Sequence, residues 1–83
     1  MKDNQSGVIR ISVKVFGSLI LFTGVNSLSV DVDLGSTVKD VKKTIGIPVD
    51  HSCTILVNSI PSKINTTLND KDSVKFLMNV SGG

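Results

Sequence analysis

Few side chains in this sequence are of types that do chemistry, and most of them stand alone. Cys53 is the only cysteine and His51 the only histidine. Cys53 opens the segment CTILV, where it alternates with Ile55 and Val57. Its thiol is therefore expected in the core rather than at a reactive surface. His51 lies in the polar link Asp50-His51-Ser52 without companion ligands at metal-binding spacing, so no metal site is expected. Asp70 and Asp72 sit in a polar turn ahead of the last apolar segment, an ordinary place for acidic residues. Lys39, Lys42 and Lys43 read as the solvated face of a helix. What remains is the end of the sequence, Val80-Ser81-Gly82-Gly83. Two glycines after a strand-like run make a terminus without side chains, thin enough to pass close to another protein's backbone. The bland alternative is a frayed end.

A working terminus needs a small, stable body to present it. The 83 residues suffice for one domain, and 40% hydrophobic with 19% charged residues fits a globular chain rather than a disordered one. The net charge of +2, scattered Lys and Arg, and the lack of Tyr and Trp weigh against nucleic acid. The apolar run Leu19-Ile20-Leu21-Phe22 is far too short to span a bilayer, and residues 1–7 lack the apolar stretch of a secretory signal. A single cysteine cannot close an internal disulfide. These features lead us to expect a cytoplasmic protein without a membrane partner. Residues 1–7 would form a flexible lead-in, 8–80 the folded domain and 81–83 a flexible tail.

The body is legible from its periodicities. In VIRISVKVF, Ile9, Ile11, Val13 and Val15 alternate with Arg10, Ser12 and Lys14, the pattern of a strand with one buried face. SLSVDVD repeats it with Leu28, Val30 and Val32, so the two segments predict a hairpin across the loop at residues 17–26. The period then changes. Ser36 or Thr37 can cap a helix, Thr37 and Asp40 have capping-box spacing, and Val38, Val41 and Ile45 form one apolar stripe. Gly46 and Pro48 end it. CTILV predicts a third strand, Asn58-Ser59 a turn, residues 62–67 a short edge strand, and Leu68 an isolated apolar anchor. In the last strand Val74, Phe76, Met78 and Val80 alternate with Ser73, Lys75, Leu77 and Asn79. One main helix packed on one face of a mixed four- to five-stranded sheet buries both stripes. This is an α+β chain, and pairing the first strand with the last in mid-sheet gives the β-grasp, or ubiquitin-like, architecture.

The same residues resemble a known family. The block TILVNSIPSKINTTLNDKDSVKFLMNVSGG is similar to the ending of the MoaD/ThiS sulfur carriers: a strand closing on Val57-Asn58, the lone Leu68, the turn Asp70-Lys71-Asp72, the strand 74–80, and Gly82-Gly83. The opening VKVFGSLILFTGV resembles the small subunit of molybdopterin synthase. The chain departs from the family where Ser59 and Lys71 replace glycines common in other members, and where Met78-Asn79 stands in place of two prolines.

The resemblance implies a carrier with no active site or permanently bound cofactor of its own. An adenylating enzyme would use ATP to activate the Gly83 carboxylate, which would become a thiocarboxylate and donate its sulfur inside a partner. That partner would be a molybdopterin synthase large subunit or another sulfur-acceptor enzyme. A thiamine-pathway carrier and a ubiquitin-like modifier joined to lysines through Gly83 remain alternatives. Ser81 and Gly82 would thread into the partner. Phe16 and Leu77 have the parity opposite to the core, so they are expected on the sheet face away from the helix, with Ile60 and Pro61 extending the patch. Residues 19–22 are open to two roles, core plug or partner contact.

Overall fold

The computed structural model describes residues 7–79. Five strands form one sheet: β1 (Val8–Val15), β2 (Ser27–Asp33), β3 (Cys53–Val57), β4 (Ile60–Ser62) and β5 (Ser73–Met78). Their order is β2-β1-β5-β3-β4. The hairpin β1–β2 and the pairs β3–β5 and β3–β4 are antiparallel, while β1 and β5 run parallel at the centre. The central pair is therefore the first strand with the last, as the order of elements in the sequence requires of a β-grasp. A parallel pair needs a long crossover, and everything between residues 16 and 72 supplies it.

The main helix, α2 (Val38–Ile45), closes one face of the sheet. Its start is built as the sequence predicts. The Asp40 carboxylate accepts hydrogen bonds from the backbone N–H of Thr37 at 2.9 Å and from its hydroxyl at 3.2 Å. Those contacts, the backbone one foremost, hold the Asp40 carboxyl below its ordinary value. Val38, Val41 and Ile45 are buried against Ile11, Val13, Val15, Val74 and Phe76. Gly46 ends the helix at φ +99°, and a Cβ there would stand 2.9 Å from the Phe22 carbonyl oxygen. Only glycine combines that backbone with that approach. Leu68, the isolated anchor, is 1% exposed.

Several expectations are corrected by tertiary packing. Lys42 is not on the solvated face: it is 2% exposed, and its ammonium donates to the carbonyl oxygens of Val49 at 3.2 Å and of His51. The long side chain reaches across the helix end and fastens the following loop. The loop at residues 17–26 contains a 3-10 turn, Gly17–Leu19, and a single α turn, α1 (Ile20–Thr23). Both of its possible roles have residues to fill them: Leu19 is fully buried, whereas Leu21 is 86% exposed. The edge strand is β4 at Ile60–Ser62 rather than residues 62–67. Met78 leaves the core stripe and lies exposed over Gly17 and Ser18. Val80, the last residue of the predicted stripe, falls outside the described residues, as do residues 1–6 of the lead-in and the tail 81–83.

The two departures at glycine positions have a backbone meaning. Ser59 and Lys71 adopt φ of +70° and +72°. Each is a left-handed conformation that costs a non-glycine residue about 1–2 kcal/mol. Neighbouring side chains hold these turns. Asp70 accepts the Arg10 N–H at 2.8 Å, and Asp72 accepts the Asn69 N–H at 2.7 Å and the Asn58 amide at 2.9 Å. The acidic pair is turn structure, as its position predicts.

Candidate partner surface and carboxyl terminus

The second face of the sheet carries no helix, and its composition changes along the strands. Strand register places Arg10 opposite Asp31, then Ser29, Ser12 and Ser73 in one row. The next row is Ser27, Lys14, Lys75, Leu56 and Pro61. Leu77 and Thr54 follow as a cross-strand pair. One step beyond the β1–β5 register stands Phe16, whose N–H donates to the Phe76 carbonyl at 3.0 Å. The face is thus polar at one end and becomes apolar toward the end where β5 finishes. Because β1 and β5 are parallel, Phe16 and Leu77 reach that same end.

Phe16 is 42% exposed, Leu77 half-buried and Pro61 exposed. These three share the open face as the sequence parity requires. Ile60 does not: it pairs with Val57, a core residue, and is therefore on the helix-side parity, though 64% exposed. A tight turn lies between Val57 and Ile60, so adjacent residues of the short β4 point opposite ways. Leu56 takes the place Ile60 was expected to fill. Its parity, opposite to Ile55 and Val57, was readable from CTILV, but its neighbours Lys75 and Pro61 come from distant segments. Beside Phe16 a groove of about 400 Å³ is lined by Lys14, Gly17, Ile20 and Asn26 among others.

Charge on this face is uneven. Arg10 and Asp31 pair at 2.9 Å, and the hydrogen bond from Arg10 lowers the Asp31 carboxyl. Lys14 and Lys75 instead stand side by side as direct cross-strand neighbours. Like charges so placed repel, and among the described residues neither lysine has an acidic group within ion-pair distance. Cys53 is half-buried on the core side opposite Met78. His51 packs edge-on against Phe22, ring centroids 5.0 Å apart. Among the described residues no cluster of His, Cys, Asp or Glu could hold a metal ion, and no helix is long and apolar enough to cross a membrane.

Ser81, Gly82 and Gly83 lie outside the described residues; the strand that precedes them in the sequence is β5. β5 occupies mid-sheet and ends beside Phe16 and Thr54. This arrangement can present a chain end at the apolar margin of an open sheet face. Among the described residues it brings together no acid, base and nucleophile.

The pattern of the ThiS family matches residues 13–83. The chain belongs to the ThiS family. Its fold is also that of solved ubiquitin-like proteins. SAMP1 of Haloferax volcanii is 24% identical, with a TM-score of 0.69 over 89% of this chain and 99% of that one. Urm1 of Trypanosoma brucei is 20% identical, with a TM-score of 0.65 over 92% and 97%. A third similar chain belongs to the complex of subunits 1 and 2 of the molybdopterin-converting factor of Helicobacter pylori. It is 20% identical, with a TM-score of 0.61 over 90% of this chain and 100% of that one. A search of curated proteins finds no match. This ThiS-family chain therefore has the ubiquitin-like fold.

Proposed function

We propose that this ThiS-family chain is a sulfur carrier that works through Gly83, most directly as the small subunit of a molybdopterin synthase. Two features support the reading: the Val-Ser-Gly-Gly sequence, and a preceding mid-sheet strand, β5, that finishes at the apolar margin of an uncovered face. A carboxylate is a poor electrophile and holds no sulfur. An adenylating enzyme joins it to AMP, releasing pyrophosphate from ATP. A persulfide sulfur then attacks the acyl carbon and AMP departs. A thiol cleaves the resulting S–S bond and leaves the thiocarboxylate on Gly83. The bare glycines let that group enter a partner's site, where the partner supplies acid–base chemistry.

Phe16, Leu56, Pro61 and Leu77 supply the docking contacts on this reading, with Lys14 and Lys75 meeting acidic groups of the partner. Burial of aromatic and aliphatic anchors offsets the cost of ordering the tail, about 1–2 kcal/mol per residue. The likeness to one subunit of the Helicobacter pylori complex supports a synthase large subunit as that partner. Likeness to SAMP1 supports a second reading, a modifier joined through Gly83 to target lysines.

Mass spectrometry of the protein from its native cells tests the proposal. Sulfur in place of one terminal oxygen is the expected result. A terminus that stays a carboxylate while the adenylating enzyme is active would overturn it, and conjugates ending in this tail would favour the modifier.

A further inference from the structure

We infer that Met78 and Asn79 form a two-sided anchor that fixes where the terminal segment leaves the sheet, with Asn79 a positioning residue for the glycines beyond it. The inference rests on the carrier reading above for its function, though not for its geometry. On the open face, the Thr54 hydroxyl donates to Asn79 Oδ1 at 3.0 Å, and Asn79 Nδ2 donates to the Ser52 hydroxyl oxygen. On the helix side, the Ser18 hydroxyl and N–H donate to Met78 Sδ at 3.1 and 3.3 Å. A Cβ on Gly17 would stand 2.8 Å from that sulfur, so the glycine makes room for it. Consecutive residues are thus tied on opposite faces, Met78 to the loop at residues 17–26 and Asn79 to β3 and the residue before it.

The ties lie where backbone pairing ends. The β3–β5 ladder stops at Cys53 opposite Met78, and the Asn79 amide carries the connection one residue further through side chains. Strand ends fray unless something holds them. These contacts involve exposed groups and bury no core residue, so their effect is local to the chain end. The stretch Val80-Ser81-Gly82-Gly83 comes after Asn79 in the sequence, and four extended residues span at most about 14 Å. The anchor sets the origin of that reach at the margin occupied by Phe16 and Leu77. Without it, one more residue must be ordered at each docking event, which lowers complex formation about five- to thirty-fold.

The test uses the full chain with the adenylating enzyme of the same organism, assayed by ATP–pyrophosphate exchange. Asn79→Ala should raise KM for the carrier about five- to thirty-fold, leave kcat unchanged and leave the melting temperature unchanged. Asn79→Asp should restore KM, because its two oxygens accept from the Thr54 and Ser52 hydroxyls. In the free chain, backbone 15N relaxation should show lower order at residue 79 in Asn79→Ala than in the parent. Parent-like KM and parent-like order at residue 79 would overturn the anchor, as would a loss confined to kcat. Failure of the parent chain to support exchange at all would instead overturn the carrier reading, and relaxation alone would then decide the anchor.

Discussion

The two faces of the sheet are built from the same strands and are put to different uses. On the helix side, Ile11, Val13, Val74 and Phe76 are essentially solvent-free beneath Val38 and Val41. On the other side, Arg10, Ser12, Lys14, Ser73 and Lys75 alternate with those same residues, and apart from Val8 the apolar groups gather toward the end of β5. One face is closed by the chain's own helix. The other is polar over most of its extent and exposes apolar groups at one margin. A small domain has core for one closed face only, which leaves the second available for recognition.

Replacing one phenylalanine on each face separates the two. Phe76→Ala, fully buried, should cost about 3–5 kcal/mol in denaturant-induced unfolding, enough to threaten a domain of this size. Phe16→Ala should change stability far less. If the open margin is the docking surface, it should weaken partner binding by more than about 1 kcal/mol in calorimetry. Equal stability losses at the two sites would erase the distinction between the faces.

Lysines extend the same contrast. Lys42 lies under the loop at Val49 and His51, whereas Lys14 and Lys75 lie side by side on the open face. Lys42→Ala removes the donor from two carbonyls and should cost about 1–3 kcal/mol by thermal or chemical unfolding. Lys75→Ala relieves a like-charge contact and should be neutral or stabilising by about 0.5 kcal/mol or less. A destabilising Lys75→Ala would mean that this lysine, too, is structural.

The smallest effect concerns pH. Asp40 is depressed below its ordinary value of 3.8 by the Thr37 N–H on the helix side, and Asp31 by Arg10 on the open face. A depressed carboxyl contributes stability that is fully present above the unfolded value and is lost as pH falls through the lower folded one. Thermal melts should therefore decline as pH drops below about 4. Asp40→Asn should flatten that decline more than Asp31→Asn, because Asp40 accepts a backbone N–H at the helix start, whereas Arg10 and Asp31 form a surface ion pair. The opposite ranking would show that the open-face ion pair matters more to stability than the helix cap.

Legibility from sequence was uneven for physical reasons. The Thr37–Asp40 cap, the Val38/Val41/Ile45 stripe and the Gly46 stop are local, so the expected helix matches the observed one. Alternation in VIRISVKV and SVKFLM assigned Phe16 and Leu77 to the uncovered face. Ile60 was misassigned because β4 is three residues long and its direction depends on a turn whose geometry the sequence pattern does not encode. Met78 fits the core period but meets Gly17 and Ser18 from a distant loop. Asn79 was legible only in its open-face parity and its place where the family carries proline, since its partners Ser52 and Thr54 are far away in sequence.

By itself, then, the sequence determined four of the five strands, the main helix, most of their core-facing residues and the Gly-Gly pair that comes after the last strand. These follow from periods of 2 and 3.6 residues and from capping chemistry, each a property of a few consecutive residues. Tertiary structure alone decided that Lys42 is buried, that Leu56 rather than Ile60 completes the open margin, and that Asn79 is tied to β3. Those outcomes depend on which distant segments meet, and a periodic pattern fixes the face of a residue without fixing its neighbours.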